Sequence, residues 1–317
     1  MQLTYEQIKS IAIGYDHAEE EENGLYFCRF SKEATENWYK LRGDFGDRSR
    51  HGAGIRFDFY TDSSEFAMLP SAPCRFDVLV DDILQLSTDC DSYDGKWGWV
   101  RHPLPEGEHR VTVLFPFHHN CHINKVELSD GASIRPCTYD KKILFYGDSI
   151  TQGVGAASTY CTYASRLSML FNADYRNQAI SGSFFSPNFY QEDLDFDPDF
   201  IIIAYGTNDW NFFSGPDRME LRSQDYVAKV TARYPGKKIF GITPLWRANH
   251  MELRNVGTFD TARAIARKAH LDHGVTVIEG YDIVPNQADY FTDGLHPNNM
   301  GHACMADALY RKIKELL

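Results

Sequence analysis

Hydrophobic and polar positions follow different periods in the two halves of the chain. In the first half, residues 54–62 (GIRFDFYTD) alternate between apolar and polar side chains, as does the segment 123–131. Residues 75–86 (RFDVLVDDILQL) predict two strands joined by a tight turn at Asp81-Asp82. Because helical periodicity is hard to find here, the pattern predicts an antiparallel β-sandwich.

From Lys141 onward, short apolar strands alternate with amphipathic helices. The predicted strands are 141–147, 175–180, 199–206, 237–244 and 275–280, and the predicted helices are 162–171, 223–234, 259–274 and 306–317. This alternation is typical of a parallel sheet covered by helices on both faces. The sequence therefore predicts a β-sandwich domain over residues 1–138 and a three-layer α/β domain of about five parallel strands over 139–317, with the boundary near 131–142.

Four loops after predicted strands carry the residue types that acyl transfer requires. In an open parallel sheet, ligands bind beyond the carboxyl ends of the strands. The loops in question are 147–149 (GDS), 181–183 (SGS), 206–209 (GTND) and 293–297 (DGLHP). Together they supply a hydroxyl, a glycine backbone, a carboxamide and an Asp/His pair, which indicates a nucleophile, oxyanion donors, a base and a residue that orients it.

Chemistry suggests a role for each of these residues. Ser149 is the predicted nucleophile, His296 its general base, and Asp293 the carboxylate that orients the imidazole. The predicted oxyanion donors are the N–H of Gly182, the side-chain amide of Asn208 and the N–H of Ser149. Taken alone, Ser149 is more typical of a helix cap than of a nucleophile, and Asn208 is also common in a turn after a strand; only the set of four loops favours catalysis.

The motifs GDSIT, ISG, GTND and DGLHP, in this order, resemble the four signature blocks of the GDSL, or SGNH, hydrolase superfamily. That superfamily is named for the residues that Ser149, Gly182, Asn208 and His296 match, and Ile150 stands where the name has leucine. The resemblance implies an esterase or acyl hydrolase on a flavodoxin-like sheet, with no metal or other cofactor.

A β-sandwich in front of such a domain is similar to the two-domain carbohydrate acetyl esterases of the acetylxylan type, which have an N-terminal jelly roll. This resemblance implies a serine esterase that removes small acyl groups, acetyl foremost, from a small-molecule or oligosaccharide ester. Two alternatives stay open at this point: an acyl hydrolase for lipid or thioester substrates, and a carbohydrate-binding protein with a vestigial hydrolase half.

Aromatic side chains and a histidine-rich segment have less specific interpretations. Trp210 and Trp246 follow strand ends and either line a substrate pocket or pack in the core, as do the neighbouring Phe212 and Phe213. The cluster His118, His119, Cys121 and His122 lacks a second set of ligands at zinc-like spacing, so it predicts a surface loop and not a metal site.

Net charge limits the kinds of binding partner, and the cysteines indicate the cellular compartment. With 32 Lys and Arg against 44 Asp and Glu, the net charge is −12, which disfavours binding to nucleic acid or to anionic lipid headgroups and favours a neutral substrate. No apolar run is long enough to span a bilayer, and the N-terminal residues lack the features of a signal peptide. The seven cysteines are scattered without CxxC spacing, which indicates reduced thiols. These features predict a cytoplasmic protein, and none of them indicates an oligomeric state.

Overall fold

The computed structural model of the chain describes residues 1–71, 74–88, 98–120 and 122–317. Within these ranges, two antiparallel sheets occupy the first half and a parallel sheet flanked by helices occupies the second. The structure therefore confirms the predicted fold class, a β-sandwich followed by a three-layer α/β unit.

The N-terminal sheets are built from strands β1 to β11. These are Ala12–Ile13, His17–Glu21, Gly24–Cys28, Arg56–Thr61, Glu65–Pro70, Asp77–Val80, Ile83–Ser87, Val100–Pro103, His109–Leu114, His122–Leu128 and Arg135–Pro136. One sheet has the order β1-β4-β9-β6-β7 with β11 paired to β4, and the other has the order β2-β3-β10-β5-β8.

The two sheets pack face to face around one apolar core. Phe57 and Val113 of the first sheet lie in the same buried cluster as Phe27 and Ile123 of the second. The predicted hairpin at Asp81-Asp82 is confirmed, since it joins β6 to β7. Both of its turn residues have positive φ, 50° and 66°, which matches the right-handed twist of the flanking strands.

Among the described residues of the first half, three helices are not predicted by its alternating pattern. These are α1 (Tyr5–Ile11), α2 (Lys32–Leu41) and α3 (Gly43–Ser49). Helix α2 buries only Ala34 and Trp38, so its apolar stripe is too sparse to produce a helical period. Helices α2 and α3 are held by contacts with residues distant in sequence, which local patterns do not report.

The C-terminal region contains strands β12 to β16 and helices α4 to α9. The strands are Lys141–Gly147, Ala173–Asn177, Phe200–Ala204, Lys238–Ile242 and Thr276–Ile278. The helices are Ser149–Gln152, Tyr163–Leu170, Asp209–Phe212, Pro216–Arg233, Phe259–Asp272 and Asn299–Lys314. All neighbouring strands of this sheet are parallel, in the order β13-β12-β14-β15-β16.

This strand order is the flavodoxin-like one, in which the first strand of the sheet lies between the second and the third. The chain reverses its winding direction between β12 and β14, so a crevice for ligands is expected at the carboxyl ends of these two strands. Successive side chains of β12 enter opposite helical layers. Ile143 and Phe145 lie in one core, and Leu144 and Tyr146 lie in the other.

Contacts between the two halves are extensive. Trp38 of α2 donates its indole N–H to the carbonyl of Asn188, and Asp77 of β6 accepts from the backbone N–H of Tyr160. One apolar cluster combines residues of both halves: Phe30, Ala34, Trp38, Phe45, Ile180 and Phe189. The division of the chain into domains 1–138 and 139–317 stays a prediction.

The described ranges contain free cysteines and no helix that could cross a membrane. Cys28, Cys137, Cys161 and Cys304 are free thiols, whereas Cys90 and Cys121 lie outside the residues that the structure describes. None of the helices in those ranges is both apolar enough and long enough to cross a bilayer.

Candidate active site

Ser149 lies at the carboxyl end of β12, on the first turn of α4. Asp148 is the cap of this helix, because its Oδ1 accepts from the N–H of Ile150 at 3.0 Å. Gly147 permits the sharp exit from the strand, since a Cβ there would lie 2.2 Å from Oγ1 of Thr151. The capping role that the local sequence allowed for Ser149 therefore belongs to its neighbour, and the Ser149 hydroxyl is directed elsewhere.

Ser149, His296 and Asp293 form a continuous chain of hydrogen bonds. Oγ of Ser149 lies 2.9 Å from Nε2 of His296, and Nδ1 of His296 lies 2.7 Å from Oδ2 of Asp293. The second carboxylate oxygen, Oδ1, accepts from the backbone N–H groups of Leu295 and His296 at 3.0 and 2.8 Å. The structure thus brings together three residues that the sequence separates by up to 147 positions.

The ionisation of Asp293 determines which nitrogen of His296 carries the proton. Burial raises the pKa of Asp293, but hydrogen bonds from the backbone and ring of His296 outweigh it, so the pKa lies below its usual value. An ionised carboxylate can only accept, which places the imidazole proton on Nδ1. Nε2 is then the basic nitrogen, directed at the hydroxyl of Ser149.

Two backbone N–H groups and one amide have unused donor capacity near the loop ends. Within the described part of the chain, the N–H groups of Ser149 and Gly182 have no acceptor. Nδ2 of Asn208 donates one hydrogen to the carbonyl of Ser183 at 2.8 Å, which leaves the second free. Gly182 has φ +84°, a conformation that glycine adopts without strain.

Gln152, which the sequence did not single out, connects the Ser149 helix to the Gly182 loop. Its Oε1 accepts from the N–H of Ser181 at 2.7 Å, and its Nε2 donates to the carbonyl of Phe117 at 2.8 Å and to Nδ1 of His51 at 3.0 Å. Burial lowers the pKa of His51 to about 3, so the ring is neutral and Nδ1 can accept. The position of Gln152, three residues after Ser149 on the same helix, was the one signal in the sequence for this role.

Two buried carboxyl groups, those of Asp148 and Asp209, accept hydrogen bonds from the backbone of the candidate site loops. Asp209 accepts from the N–H of Phe185 at 2.9 Å through Oδ1, and its Oδ2 has no partner among the described residues. Burial raises the pKa of both Asp148 and Asp209 to about 7. Asp148 precedes Ser149 and Asp209 follows Asn208, so the loops after β12 and β14 each contain a buried carboxyl group that titrates near neutral pH.

The two tryptophans differ in their surroundings. Trp210 is 0% exposed, packs 5.1 Å from the ring of Phe259 and donates to the carbonyl of Gly257. The interpretation of Trp210 as a substrate-binding residue is therefore wrong, because the indole is part of the core. Trp246 is only half-buried, with its ring 5.7 Å from that of His250, so it stays a candidate pocket residue.

The loop that follows β15 is hydrogen-bonded to two of the candidate site loops. Nη1 of Arg247 donates to the backbone carbonyl and to the hydroxyl of Thr207, at 3.2 and 3.3 Å. The N–H of Ala248 donates to the carbonyl of Gly294 at 2.7 Å. This loop therefore borders the site between Asn208 and Asp293.

The predicted surface loop at the histidine cluster agrees with the structure where it is described. Residues 117–118 form a turn, His118 is exposed, and His122 begins a strand where Nε2 contacts Glu21 at 3.0 Å. Cys121 lies outside the described residues.

A different group in the N-terminal sheet has metal-ligand chemistry. The ligand atoms of His17, Glu19 and Cys28 all lie within 4.8 Å of one another. Glu19 is paired with Lys32 at 2.7 Å, and His17 with Asp16 at 3.0 Å. A cation would have to displace the lysine, so the group is accounted for as an ion-pair cluster of the β2–β3 hairpin.

Comparisons with solved structures show the same architecture in several acyl-transfer and ester-cleaving proteins. The salicylyl-acyltransferase SsfX3 from a tetracycline biosynthetic pathway superimposes with a TM-score of 0.78 at 22% identity, over 96% of this chain and 94% of that one. A family two carbohydrate esterase from Clostridium thermocellum, in complex with cellohexaose, gives 0.69 at 17% identity, with coverages of 96% and 98%. An acetyl xylan esterase from Butyrivibrio proteoclasticus gives 0.62 at 15%, with coverages of 84% and 91%. At these identities the likeness concerns the fold.

Sequence comparison identifies the family. No curated protein matches the chain significantly. The sequence profile of the GDSL-like lipase/acylhydrolase family, however, matches residues 145–304, just over half of the chain and the part that holds all four candidate site loops. The chain belongs to the GDSL-like lipase/acylhydrolase family.

Proposed function

We propose that the protein is a serine esterase that removes small acyl groups, acetyl foremost, from carbohydrate esters. The observation that carries this proposal is the hydrogen-bond chain from the Ser149 hydroxyl through His296 to Asp293. A vestigial, purely carbohydrate-binding site would have no need to keep this chain aligned.

In the acylation step, Nε2 of His296 takes the proton of Ser149 as Oγ attacks the ester carbonyl carbon. The oxyanion that forms accepts hydrogen bonds from the N–H groups of Ser149 and Gly182 and from the amide of Asn208. The tetrahedral intermediate then collapses, the bond between the acyl carbon and the sugar oxygen breaks, and His296 returns the proton to the departing alcohol.

In the deacylation step, His296 takes a proton from water as the water oxygen attacks the acyl-enzyme. The same donors hold the second oxyanion. Collapse breaks the acyl bond to Ser149, His296 returns the proton to Oγ, and a carboxylic acid leaves. Asp293 stays ionised throughout, where it holds the tautomer and stabilises the imidazolium that forms in each step.

A neutral sugar ester is the substrate class that the surroundings favour. The half-buried indole of Trp246, on the loop that borders the site, offers a flat apolar surface with a polar edge. The net charge of −12 opposes an anionic substrate. The carbohydrate esterases among the structural neighbours support the same class.

A second candidate, hydrolysis of esters or thioesters with longer acyl chains, is favoured by two exposed side chains. Met251 and Leu253 are 84% and 79% exposed on the loop after β15, the loop that Arg247 ties to Thr207. Apolar side chains at the border of the site would suit a longer acyl chain. Activity against p-nitrophenyl esters of increasing chain length distinguishes the two candidates: a maximum at acetate supports the first, and a maximum at long chains supports the second.

The decisive test is Ser149→Ala assayed with p-nitrophenyl acetate. We expect kcat to fall by at least about 10⁴-fold while the protein stays folded. The matched control is Ser168→Ala, which removes a buried hydroxyl from α5 and should leave kcat unchanged. Retained activity in Ser149→Ala would reject the mechanism. A screen of acetylated oligosaccharides, with mass-spectrometric detection of acetyl loss, then tests the sugar, and binding of these oligosaccharides without acetyl loss would reject a carbohydrate esterase.

A further inference from the structure

The peptide group between Ser181 and Gly182 is held by a side chain from the N-terminal region. Nη1 of Arg48, on α3, donates to the carbonyl oxygen of Ser181 at 2.6 Å across 133 residues of sequence. Nη2 of the same guanidinium pairs with Oδ2 of Asp44 at 3.1 Å, one helical turn earlier. The guanidinium therefore has a fixed position on both sides.

This contact determines where the N–H of Gly182 points. A trans peptide group is planar, and its C=O and N–H point in opposite directions. When Arg48 holds the carbonyl of Ser181 on one side, the N–H of Gly182 is directed to the other side. That N–H is the donor that the proposed mechanism uses for the oxyanion.

Without such a contact, the peptide group would have considerable freedom. Gly182 has φ +84° and no Cβ, so rotation of the preceding peptide plane meets little steric resistance. A Cβ on Gly182 would lie 2.8 Å from Nη1 of Arg48, which shows how closely the guanidinium covers the peptide. The absence of a side chain on Gly182 thus allows the guanidinium of Arg48 to approach, and the hydrogen bond from Arg48 limits rotation of the peptide group.

The positive charge of Arg48 strengthens the same N–H donor that its hydrogen bond orients. A cation that binds a carbonyl oxygen polarises the peptide group, and the N–H of that group becomes a stronger donor. The side chain of Arg48 is 32% exposed, so solvent screens its direct attraction for an oxyanion. Orientation of the peptide is therefore its main contribution.

Helix α3 itself is anchored against the loop that it supports. Phe45 packs edge-to-face on Phe189 at 4.9 Å and shares a buried cluster with Ile180. The buried guanidinium of Arg29 donates to the backbone carbonyl of Arg48 at 2.9 Å. These contacts leave Arg48 little freedom to withdraw from the peptide.

We infer that Arg48 is a positioning residue for the oxyanion hole, and that the N-terminal region thereby completes the active site instead of only flanking it. This inference rests on the proposed function, since it assigns to Arg48 the orientation of a donor that acts in ester hydrolysis. It predicts a defect in transition-state stabilisation and not in substrate binding.

The test compares Arg48→Met with Arg42→Met. Arg42 lies on the same side of Gly182, with Nη2 3.8 Å from the position of a Cβ there, but it donates to Asp44 and not to the peptide. For Arg48→Met we expect kcat on p-nitrophenyl acetate to fall about 10-fold to 100-fold with KM unchanged, less than the loss from deleting an oxyanion donor outright. Arg48→Lys should recover part of the loss, and Arg42→Met should stay close to wild type.

A second readout separates positioning from a general structural role. Phenylboronic acid forms a tetrahedral adduct on a serine nucleophile, so its affinity should fall by the same factor as kcat/KM in Arg48→Met. Thermal unfolding of each variant verifies that the fold is intact, and Arg48→Gln replaces Arg48→Met if the latter does not fold.

The possible outcomes are distinguishable. Wild-type hydrolysis together with unchanged kcat and boronate affinity in a folded Arg48→Met overturns the inference and leaves the proposed function standing. Equal losses in Arg42→Met and Arg48→Met would also overturn it, because a loss of charge alone would then be the cause. A wild-type protein that neither hydrolyses p-nitrophenyl acetate nor reacts with a fluorophosphonate probe rejects the proposed function, and the inference with it.

Discussion

Asp293 accepts two hydrogen bonds from the same residue, His296: one from the ring at Nδ1, 2.7 Å from Oδ2, and one from the backbone N–H, 2.8 Å from Oδ1. The backbone contact fixes the carboxylate relative to the main chain that carries the imidazole. Because both residues belong to one short loop, the orientation of the ring is a local property of residues 293–296. The placement of Ser149 within reach of that ring is a property of the whole sheet.

The first prediction concerns Asp293→Asn. The amide oxygen can keep the bonds from the backbone, so we expect the loop to fold, but the amide nitrogen cannot accept from Nδ1 of His296. We expect kcat to fall by about 100-fold or more, because the imidazole loses its preference for the productive tautomer. The measurement is kcat on p-nitrophenyl acetate, with Asp289→Asn from the same part of the chain as the control. An unchanged kcat would show that Asp293 does not orient the base.

The second prediction concerns Gly155, which packs on His296, the proposed base. A Cβ at this position would lie 2.3 Å from the carbonyl oxygen of Pro297 and 3.0 Å from Cβ of His296. We expect Gly155→Ala to displace His296 from Ser149 and to lower kcat much more than KM. The control is Gly236→Ala. Gly236 has a positive φ of +77°, against +96° at Gly155, but no heavy atom lies within 4 Å of the new methyl group. Both variants carry the backbone strain, so only a contact effect separates them, and equal kcat values would contradict the prediction.

The third prediction concerns the pH dependence that Asp209 imposes on stability. Burial raises its pKa from 3.8 to about 7. Between these values the folded protein holds a proton that the unfolded chain has released, so this group's contribution to the free energy of unfolding falls by about 1.4 kcal/mol per pH unit as the pH rises. Above about pH 7 the contribution is constant.

Asp209→Asn removes this titration. We expect the difference in free energy of unfolding between the variant and the wild type to shift in favour of the variant from pH 5 to pH 7, and then to level off. Urea denaturation at pH 5, 6, 7 and 8 measures it, with the exposed substitution Asp217→Asn as the control. A difference that is the same at all four pH values would contradict the assignment.

The fourth prediction concerns the guanidinium that joins the two halves of the chain. Arg29 is buried and donates to four backbone carbonyls, those of Arg48, His51, Asn177 and Ala179. We expect Arg29→Met to lower the free energy of unfolding by about 3 kcal/mol or more, since each buried carbonyl left without a donor costs about 1–3 kcal/mol. Arg135→Met, which breaks an exposed pair with Glu108, should lower the free energy of unfolding much less, because solvent screens the pair. Similar values for the two variants, from urea denaturation, would show that the carbonyls find other partners.

Much of the architecture was predictable because its signals are local. The apolar strands that became β12 to β16 alternate with helical periods, and the turn at Asp81-Asp82 lies between two alternating runs. The helices α2 and α3 were not predictable in the same way. Helix α2 has a sparse apolar stripe, and both bury their side chains against a distant part of the chain.

The sequence by itself determined the sheet, the four loops at its edge and the identity of the candidate nucleophile, base and oxyanion donors, because strand periodicity and parallel connections bring the carboxyl ends of strands to one edge. Only the tertiary structure decided which side chains support them. It placed Trp210 in the core, and it brought Gln152 and Arg48 to the two sides of Ser181. The physical reason is that a side chain's partners depend on how the β-sandwich packs on the sheet, and no local period of the sequence records contacts made across 133 residues.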